Sequence, residues 1–331
     1  MTLHFKAVCL AALVSLAAVG GATAQPDVAS GDIVVTGSRV EEMAQSYAGS
    51  IAVAPEAADQ YARWNFRLCP SVAGVEASAA QTLIDHIARR AHQVGVEVER
   101  SGCQPNLVII FAPDSDVLAR QIVDQRRDLL GYYTEDDVVT AGRDALERFA
   151  STSRAVRWWH VSRRTTADGG QLGDSRSRTG AGNRAAVAAA NGGSPMDSSV
   201  ASGVASGRGF SGVEAVRSQG SRVRRDTRQD LSFALVIVDA RRAGQASAAA
   251  MADYLAMATL VQLDPDADMS PFPSVLNLFS TEGATGQPTP TGMTDWDLAY
   301  LQGLYSAERA AATARQQEAA IARHMADQVR H

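Results

Sequence analysis

The stretch from residue 165 to residue 228 most constrains the fold, because it cannot contribute to a hydrophobic core. Glycine, serine, alanine and arginine dominate it, and large apolar side chains are few. Such a composition does not bury enough surface to offset the entropy lost on ordering the chain. We therefore predict a disordered insertion over residues 165–228, which divides one domain into residues 51–164 and 229–305. The 331-residue chain is 46% hydrophobic, so these flanking parts can build a sizeable core.

Both flanking parts carry the apolar patterns of helices and strands. Apolar residues three and four apart predict an amphipathic helix over Ala77–Val94. We predict a further helix over Asp136–Phe149, and a helix near Thr294 whose first turn has a capping box with Asp297. Three apolar runs predict strands: Leu107–Ala112 (LVIIFA), Ala155–Ser162 (AVRWWHVS) and the run LSFALVIVDA from Leu231. The two adjacent tryptophans of the second run should face opposite sides of a sheet. We expect an α+β or α/β fold with a mixed sheet.

The N-terminus has the three-part pattern of a secretory signal peptide. Lys6 precedes an apolar run over residues 7–19, and Ala22-Thr23-Ala24 is a small-x-small cleavage site. We predict that residues 1–24 are removed between Ala24 and Gln25. A retained N-terminal anchor is the alternative, although the apolar run is short for a membrane span. The mature chain has no other apolar segment of that length, so we expect no transmembrane span.

Cleavage would leave two cysteines, Cys69 and Cys103. Two cysteines in an exported chain most simply form one disulfide, which indicates a periplasmic or extracellular location. A cysteine-based metal site or a reactive thiol is the alternative. Neither cysteine has a CxxC partner or a nearby cysteine and histidine pair, so the sequence favours the disulfide.

The region from residue 25 to residue 50 is polar, small and weakly patterned, and we predict a flexible N-terminal arm there. Its most apolar segment, DIVVTGSR from Asp32, resembles the opening of outer-membrane TonB-dependent receptors. This resemblance implies that the arm pairs with a periplasmic partner by strand addition. The plain alternative is a short strand, because Ile-Val-Val-Thr is ordinary strand composition.

The C-terminal tail, residues 306–331, is rich in alanine and arginine and has high helix propensity. Ile321, Met325 and Val329 form only a thin apolar stripe. We predict a helical tail that is pendant or docks on a partner.

The segment AAAMADYLAMATLVQLDP, from Ala248 to Pro265, lies in a series of elements that resembles a metzincin zinc peptidase. The series is FALVIVDA, MADYLAMATLVQL, PSVLNLF and MTDWDLAYLQGLY. It resembles the strand, the zinc-binding helix, the methionine turn and the closing helix of that family. The chain as a whole also resembles secreted proteins of alphaproteobacteria. The resemblance implies a metzincin-like mixed sheet with helices.

The zinc motif of that family, HExxHxxGxxH, is absent. Asp253 and Met257 stand where two histidines one helical turn apart would bind the metal, and Tyr254 replaces the glutamate base. Leu260 replaces the glycine and Leu263 the third histidine; Leu276 stands in the methionine turn. A zinc site needs three protein ligands and this set offers one at most. We predict no catalytic residues, no metal and no cofactor.

Other sites are also weak in the sequence. His160 follows the tryptophan pair, and we expect a buried, hydrogen-bonded structural histidine there. His86 is expected on a solvated helix face, beside Asp85 or Arg90. Asp264, Asp266 and Asp268 alternate as in a calcium loop, but the glycine and terminal glutamate of such a loop are missing, so an acidic turn is favoured.

No nucleic-acid partner is expected either. The basic ends of the insertion, SRRTT and SRVRRDTR, lack interleaved aromatic residues, and the net charge of the chain is −5.

These observations leave three functional hypotheses. The sequence favours a non-catalytic exported protein, a peptidase-like scaffold used for binding or envelope support, whose partner would be an envelope protein. The second is a divergent hydrolase that uses His160 or Asp253. The third is an accessory to TonB-dependent outer-membrane transport through the DIVVTG arm.

Overall fold

A computed structural model describes most of the chain between residues 37 and 330. The described residues are 37–55, 57–132, 137–170, 221–244, 246–280 and 288–330. The predicted signal peptide, its cleavage site at Ala24 and Gln25, residues 32–36 of DIVVTGSR and the interior of the predicted insertion, 171–220, lie outside them.

A five-stranded mixed sheet forms the centre of the fold, in agreement with the predicted fold class. The sheet has the order β1-β2-β5-β4-β3, in which β1, β2 and β5 are parallel and the pairs β5–β4 and β4–β3 are antiparallel. The strands are β1 Pro70–Ala73, β2 Leu107–Ala112, β3 Val138–Val139, β4 Val156–Thr166 and β5 Thr227–Asp239. Strand β2 and the part of β5 from Leu231 to Val238 are nearly continuous apolar runs, as expected for strands covered on both faces.

Seven α-helices and two short 3₁₀ turns surround this sheet within the described residues. The helices are α1 Gly37–Ile51, α2 Ala77–Gln93, α3 Ser115–Gln125, α4 Arg143–Ser151, α5 Ala248–Leu260, α6 Asp295–Ser306 and α7 Ala314–Val329; the turns are Arg127–Leu130 and Val275–Phe279. The helix predicted over Ala77–Val94 is confirmed. The one predicted over Asp136–Phe149 begins only at Arg143, because Val138–Val139 pairs with β4 as a strand.

The two faces of the sheet carry separate hydrophobic cores, and β4 shows why. Trp158 packs in the larger core with residues of α1, α2, α5, α6 and α7, whereas Trp159 packs in the smaller core with residues of α3 and α4. Adjacent strand residues point to opposite faces, so this outcome confirms the prediction for the tryptophan pair.

The predicted flexible arm over residues 25–50 is wrong for its described part, because residues 37–51 form α1. Val40, Ala44, Tyr47 and Ile51 are spaced three and four apart, and all four side chains are buried in the larger core. The Tyr47 hydroxyl also donates a 2.6 Å hydrogen bond to Asp297 Oδ1. Burial of these four side chains stabilises the helix, although the small residues of this segment give little sequence pattern that would predict one.

The C-terminal tail is helical as predicted, but it is not pendant. Helix α7 packs against α1 and α6, and its thin stripe of Ile321 and Met325 is fully buried. Gly303 of α6 makes the close approach possible, because a Cβ there would lie 3.2 Å from the Ile321 backbone. The narrow apolar stripe of α7 is enough for packing against α6, because α6 has a glycine at the point of contact.

The boundaries of the predicted insertion, 165 and 228, also need correction. Strand β4 continues to Thr166 and pairs there with Thr227 of β5. The Thr165 hydroxyl donates a 2.8 Å hydrogen bond to Asp230, which Arg228 also contacts. Both ends of the low-complexity stretch therefore belong to the sheet, because their polar side chains satisfy one another inside it.

The predicted disulfide between Cys69 and Cys103 is present, with Cα atoms 6.0 Å apart. It ties the segment before β1 to the loop before β2. Disulfides persist in oxidising compartments, so this bond fits the expected location outside the cytoplasm. Among the described residues, no helix has the length and apolar character needed to cross a membrane.

Removal of this disulfide should lower the free energy of unfolding by about 3–4 kcal/mol, since its two cysteines are 34 residues apart and the closed loop restricts the unfolded chain. Urea denaturation of the double variant Cys69→Ala/Cys103→Ala measures this loss. Reductant should destabilise the wild type equally and leave the double variant unchanged; equal midpoints for wild type and variant would contradict the prediction.

Candidate functional site

Helix α5, the segment that resembles a zinc-binding helix, is enclosed by the fold. Every residue from Ala250 to Leu260 is buried. The Ser247 side chain begins the helix by accepting a hydrogen bond from the Ala250 N–H. A helix that is apolar on all sides is stable only when it is covered on all sides. Its position in the core therefore follows from its sequence.

Asp253 is the only charged residue of α5, and its carboxylate is fully engaged. Arg90 of α2 donates two hydrogen bonds to it, of 2.7 Å from Nε and 3.0 Å from Nη2. His86 Nε2 lies 2.6 Å from Oδ1, and the Met293 N–H donates to Oδ2 at 2.8 Å. Gly292 permits this backbone approach, since a Cβ there would lie 2.9 Å from Oδ2. These contacts leave no free carboxylate face for a metal.

The electrostatics of Asp253 agree with this geometry. Burial raises the pKa of the Asp253 carboxyl group, but the hydrogen bonds from Arg90 and His86 outweigh it and leave the pKa below the usual value. The carboxylate is thus stabilised in its charged form. A buried ion pair of this kind is costly to break, because either partner alone would remain charged and poorly solvated.

The other degenerate zinc positions separate into two groups. Met257 and Leu260 are completely buried in the larger core. Tyr254 and Leu263 line a cavity of about 910 Å³, which Leu276 also lines. The fold therefore does not bring the counterparts of the metal ligands to one point: Asp253 faces α2, Met257 faces the core, and only Tyr254 and Leu263 face the cavity. Within the part of the chain that the structure describes, no group of three or more metal-ligating side chains occurs.

We call the 910 Å³ cavity the cleft; it lies between the start of β4, the loop after α5 and the turn Val275–Phe279. Tyr254 forms an aromatic contact with Phe279, at a centroid distance of 5.0 Å, and with Trp158 at 6.3 Å. Burial raises the pKa of the Tyr254 hydroxyl, which keeps it protonated at ordinary pH. The floor of the cleft is therefore aromatic and uncharged.

Two arginines at the rim of the cleft pair with carboxylates outside its lining, whereas the lining residues Asp264 and Asp268 have no cationic partner among the described residues. Arg242, which follows β5, binds Asp239 and Asp116 at 2.9 Å each. The hydrogen bond from Arg242 is the main cause that lowers the pKa of Asp116 to about 2. Arg154 binds Asp266 and the Pro265 carbonyl. A ligand in the cleft thus meets two arginines that already have carboxylate partners and two aspartates of the acidic turn.

The remaining candidate residues have hydrogen-bond partners within the chain. His160 is buried, its Nε2 lies 2.9 Å from the Ala258 carbonyl oxygen, and burial lowers its pKa to about 4. The prediction of a hydrogen-bonded core histidine is confirmed. Asp264 and Asp268 each accept a hydrogen bond from the backbone two residues on, as in an ordinary acidic turn.

The sequence interpretation missed the contact between His86 and Asp253. It placed His86 on a solvated face beside Asp85 or Arg90. One signal was present: an isolated aspartate in an apolar helix needs a buried cationic partner, and Arg90 and His86 lie one turn apart on the amphipathic helix α2.

Asp253→Asn should lower the free energy of unfolding by about 2–3 kcal/mol, because it leaves Arg90 without its counter-ion. The loss is below that of a fully buried pair since the Arg90 side chain is 21% exposed. The folded pKa of Asp253 is depressed, so its stabilisation is complete above the unfolded pKa and is lost as pH falls through the folded pKa. The difference between wild type and variant should therefore shrink below about pH 4.

Urea denaturation at several pH values measures both effects. Asp124→Asn is the control, because Asp124 is an exposed residue of α3 and should change the stability by less than about 0.5 kcal/mol. A pH-independent difference between wild type and Asp253→Asn would contradict the expectation.

Comparison with protein-family models, with curated proteins and with solved structures gives no match for this chain. Its function has to be inferred from its own residues and geometry.

Proposed function

We propose that the chain is an exported, non-catalytic binding protein on a metzincin-like scaffold, and that its cleft holds a peptide segment of an envelope partner. The main support is the state of α5. The one residue at a ligand position that could bind a cation, Asp253, is neutralised by Arg90 and turned away from the cleft, whereas the cleft itself is retained.

The arrangement of elements supports the scaffold part of the proposal. Strand β5, helix α5, the turn Val275–Phe279 and helix α6 follow one another in the order that the resemblance implies. The capping box predicted at Thr294 is present, with Asp297 bonded to the Thr294 N–H at 2.9 Å. Asp297 also accepts hydrogen bonds from Ser274 and Val275, which join the turn to α6. Apolar packing and this buried carboxylate can maintain the scaffold without a metal.

The lining of the cleft supports a peptide ligand. Its volume of about 910 Å³ is at the upper end of ligand sites, which are roughly 300–1,000 Å³. Tyr254, Phe279 and Leu276 offer apolar contacts, and Asn277, Ser153 and Ser280 add polar groups to the lining. Because the rim arginines already have carboxylate partners, the ligand needs no negative charge. A short peptide with an apolar side chain combines these properties.

Export is supported by the disulfide and by the signal-peptide pattern over residues 1–24. The hydrolase hypothesis has less support, because it needs His160 or Asp253 as a reacting group. His160 is held by the Ala258 carbonyl and Asp253 by α2. The transport hypothesis depends on residues 32–37, nearly all of which lie outside the described part of the chain.

The mature protein, beginning at Gln25, should purify without stoichiometric zinc and should not cleave peptides, because the ligand and base positions of the zinc motif hold no histidine or glutamate. Metal analysis by mass spectrometry and a peptide-library cleavage assay measure this, with an active zinc peptidase as positive control. Tightly held zinc at one equivalent, together with peptide cleavage, would overturn the proposal.

Peptides selected on the mature protein from a random library should bind in the cleft. Leu276→Arg places a long cation among the apolar lining residues and should weaken their binding about tenfold or more, as expected for loss of a buried apolar contact. Leu129→Arg is the matched control, since Leu129 is partly exposed on the turn Arg127–Leu130 and does not line the cleft.

Isothermal titration calorimetry measures the affinities, and thermal unfolding verifies that each variant is folded. If Leu276→Arg is unstable, Ser280→Trp obstructs the cleft from an exposed lining position. Selected peptides that bind equally well to wild type and to a folded, obstructed variant would contradict binding in the cleft.

A further inference from the structure

A second cavity, which we call the arginine cavity, lies away from the cleft and has a volume of about 420 Å³. Three chain segments line it: Arg63–Arg67 before β1, Val94–Glu97 after α2, and Tyr305 with Arg309 at the end of α6. Its walls are held in place, because Trp64 Nε1 donates to the Thr259 carbonyl at 2.7 Å and the Tyr305 hydroxyl donates to the Leu260 carbonyl at 2.9 Å. The cavity is therefore a preformed site.

Arg63, which lines this cavity, is only 2% exposed. Its Nη1 donates to the Leu304 carbonyl and its Nη2 to the Ala307 carbonyl. A guanidinium group has five N–H donors, so three have no acceptor among the described residues. Arg63 also makes no ion pair with a carboxylate there, although a buried charge is stable only when it is compensated.

Two arginines, Arg309 and Arg228, add positive charge near Arg63, and Asp230, which is paired with Arg228, opposes it. Burial, followed by the charge of Arg309, lowers the pKa of Arg63 to about 10. Arg309 is exposed and has neither a hydrogen bond nor an ion pair among the described residues. Arg67 pairs with Glu97 at 2.7 Å. Three arginines and one glutamate line the cavity, which leaves two positive charges without a counter-charge in the lining.

Phe66 gives the cavity an apolar rim. It is 46% exposed, which is unusual for so large an apolar side chain in this fold. It lies in the lining between Asn65 and Arg67. An aromatic ring beside uncompensated guanidinium groups suits a ligand that has both an anionic group and an organic body.

We propose that the arginine cavity binds a phosphate monoester, with the phosphate between Arg63 and Arg309 and the organic body against Phe66. A phosphate monoester carries a charge of about −1.5 to −2 at pH 7, which matches the two uncompensated arginines better than a single carboxylate does. Guanidinium groups bind phosphate oxygens with two parallel hydrogen bonds, and Arg63 retains the donors for them.

A purely structural role explains only part of this arrangement. The two carbonyl oxygens that Arg63 contacts lie at the C-terminal end of α6, where a cation is favourable. That role accounts for Arg63 alone. It does not explain why Arg309, which has no partner in the described part of the chain, and the exposed ring of Phe66 line the same cavity.

Isothermal titration calorimetry of the mature protein with phenyl phosphate tests the proposal. We expect saturable binding that weakens with increasing salt and with Arg309→Gln, the latter by about tenfold, as for loss of a charge-assisted hydrogen bond. Phe66→Ala should weaken the binding of phenyl phosphate. It should leave the binding of inorganic phosphate, which is weaker in the wild type, unchanged. Arg309 and Phe66 are exposed, so both variants should fold.

Arg323→Gln is the matched control, because Arg323 is an exposed arginine of α7 that does not line this cavity. Absence of phenyl phosphate binding, or equal losses in Arg309→Gln and Arg323→Gln, would refute the site. A second experiment measures binding of the protein to phosphatidylglycerol vesicles. Binding to vesicles without binding of phenyl phosphate would refute the proposal that the ligand is a soluble phosphate monoester. None of these outcomes depends on the cleft or on peptide binding.

Discussion

The enclosure of α5 is the constraint on which the rest of the structure depends. This helix is apolar around its whole circumference, so neighbouring elements must cover it on every side. The sheet covers one side through Trp158 and Val236, and α2 and α6 cover others. The single carboxylate of α5 could then remain in the core only with a cation beside it, and Arg90 of α2 supplies that cation. This ion pair, together with the apolar residues of α2 in the same core, joins α2 to α5.

The same helix lines the cleft through Tyr254, although its sequence lacks the zinc motif. In a zinc peptidase the ligands of this helix would converge on the metal. Here the hydrogen bonds to Asp253 run to α2 and to the segment at Met293, on the side of α5 away from Tyr254. The residues of α5 at the positions that resemble the zinc motif therefore do not converge on one point. The cleft has an aromatic floor and a rim whose two arginines are paired with carboxylates.

Sequence patterns predicted those parts of the fold that depend on local periodicity or composition. Local patterns were sufficient for four features, because each pattern itself indicates the buried face or the helix start. These features are the strands LVIIFA and AVRWWHVS, the helix over Ala77–Val94 and the capping box at Thr294. Helix α1 and the docking of α7 were not predictable in this way, since their short apolar stripes become meaningful only against a partner helix with a glycine such as Gly303. The pairing of Asp253 with Arg90 and His86 joins residues far apart in the chain, and no local pattern carries such a contact.

The two proposed sites meet at α5. Tyr254, at its middle, forms part of the cleft floor, whereas its last turn supports the arginine cavity. The final carbonyl groups of a helix have no partner within it, and they must bond elsewhere when they are buried. In α5 the Thr259 and Leu260 carbonyls accept hydrogen bonds from Trp64 and Tyr305, the side chains that form the walls of the arginine cavity. The end of the buried helix therefore needs those two side chains where they are. The shape of the arginine cavity follows from the hydrogen bonds that the last carbonyl groups of α5 require.

The charge of the arginine cavity does not follow from these hydrogen bonds, because neither carbonyl group requires Arg309. The shape of the arginine cavity is thus a consequence of the fold. Arg309, which has no partner among the described residues, is the feature that supports a ligand.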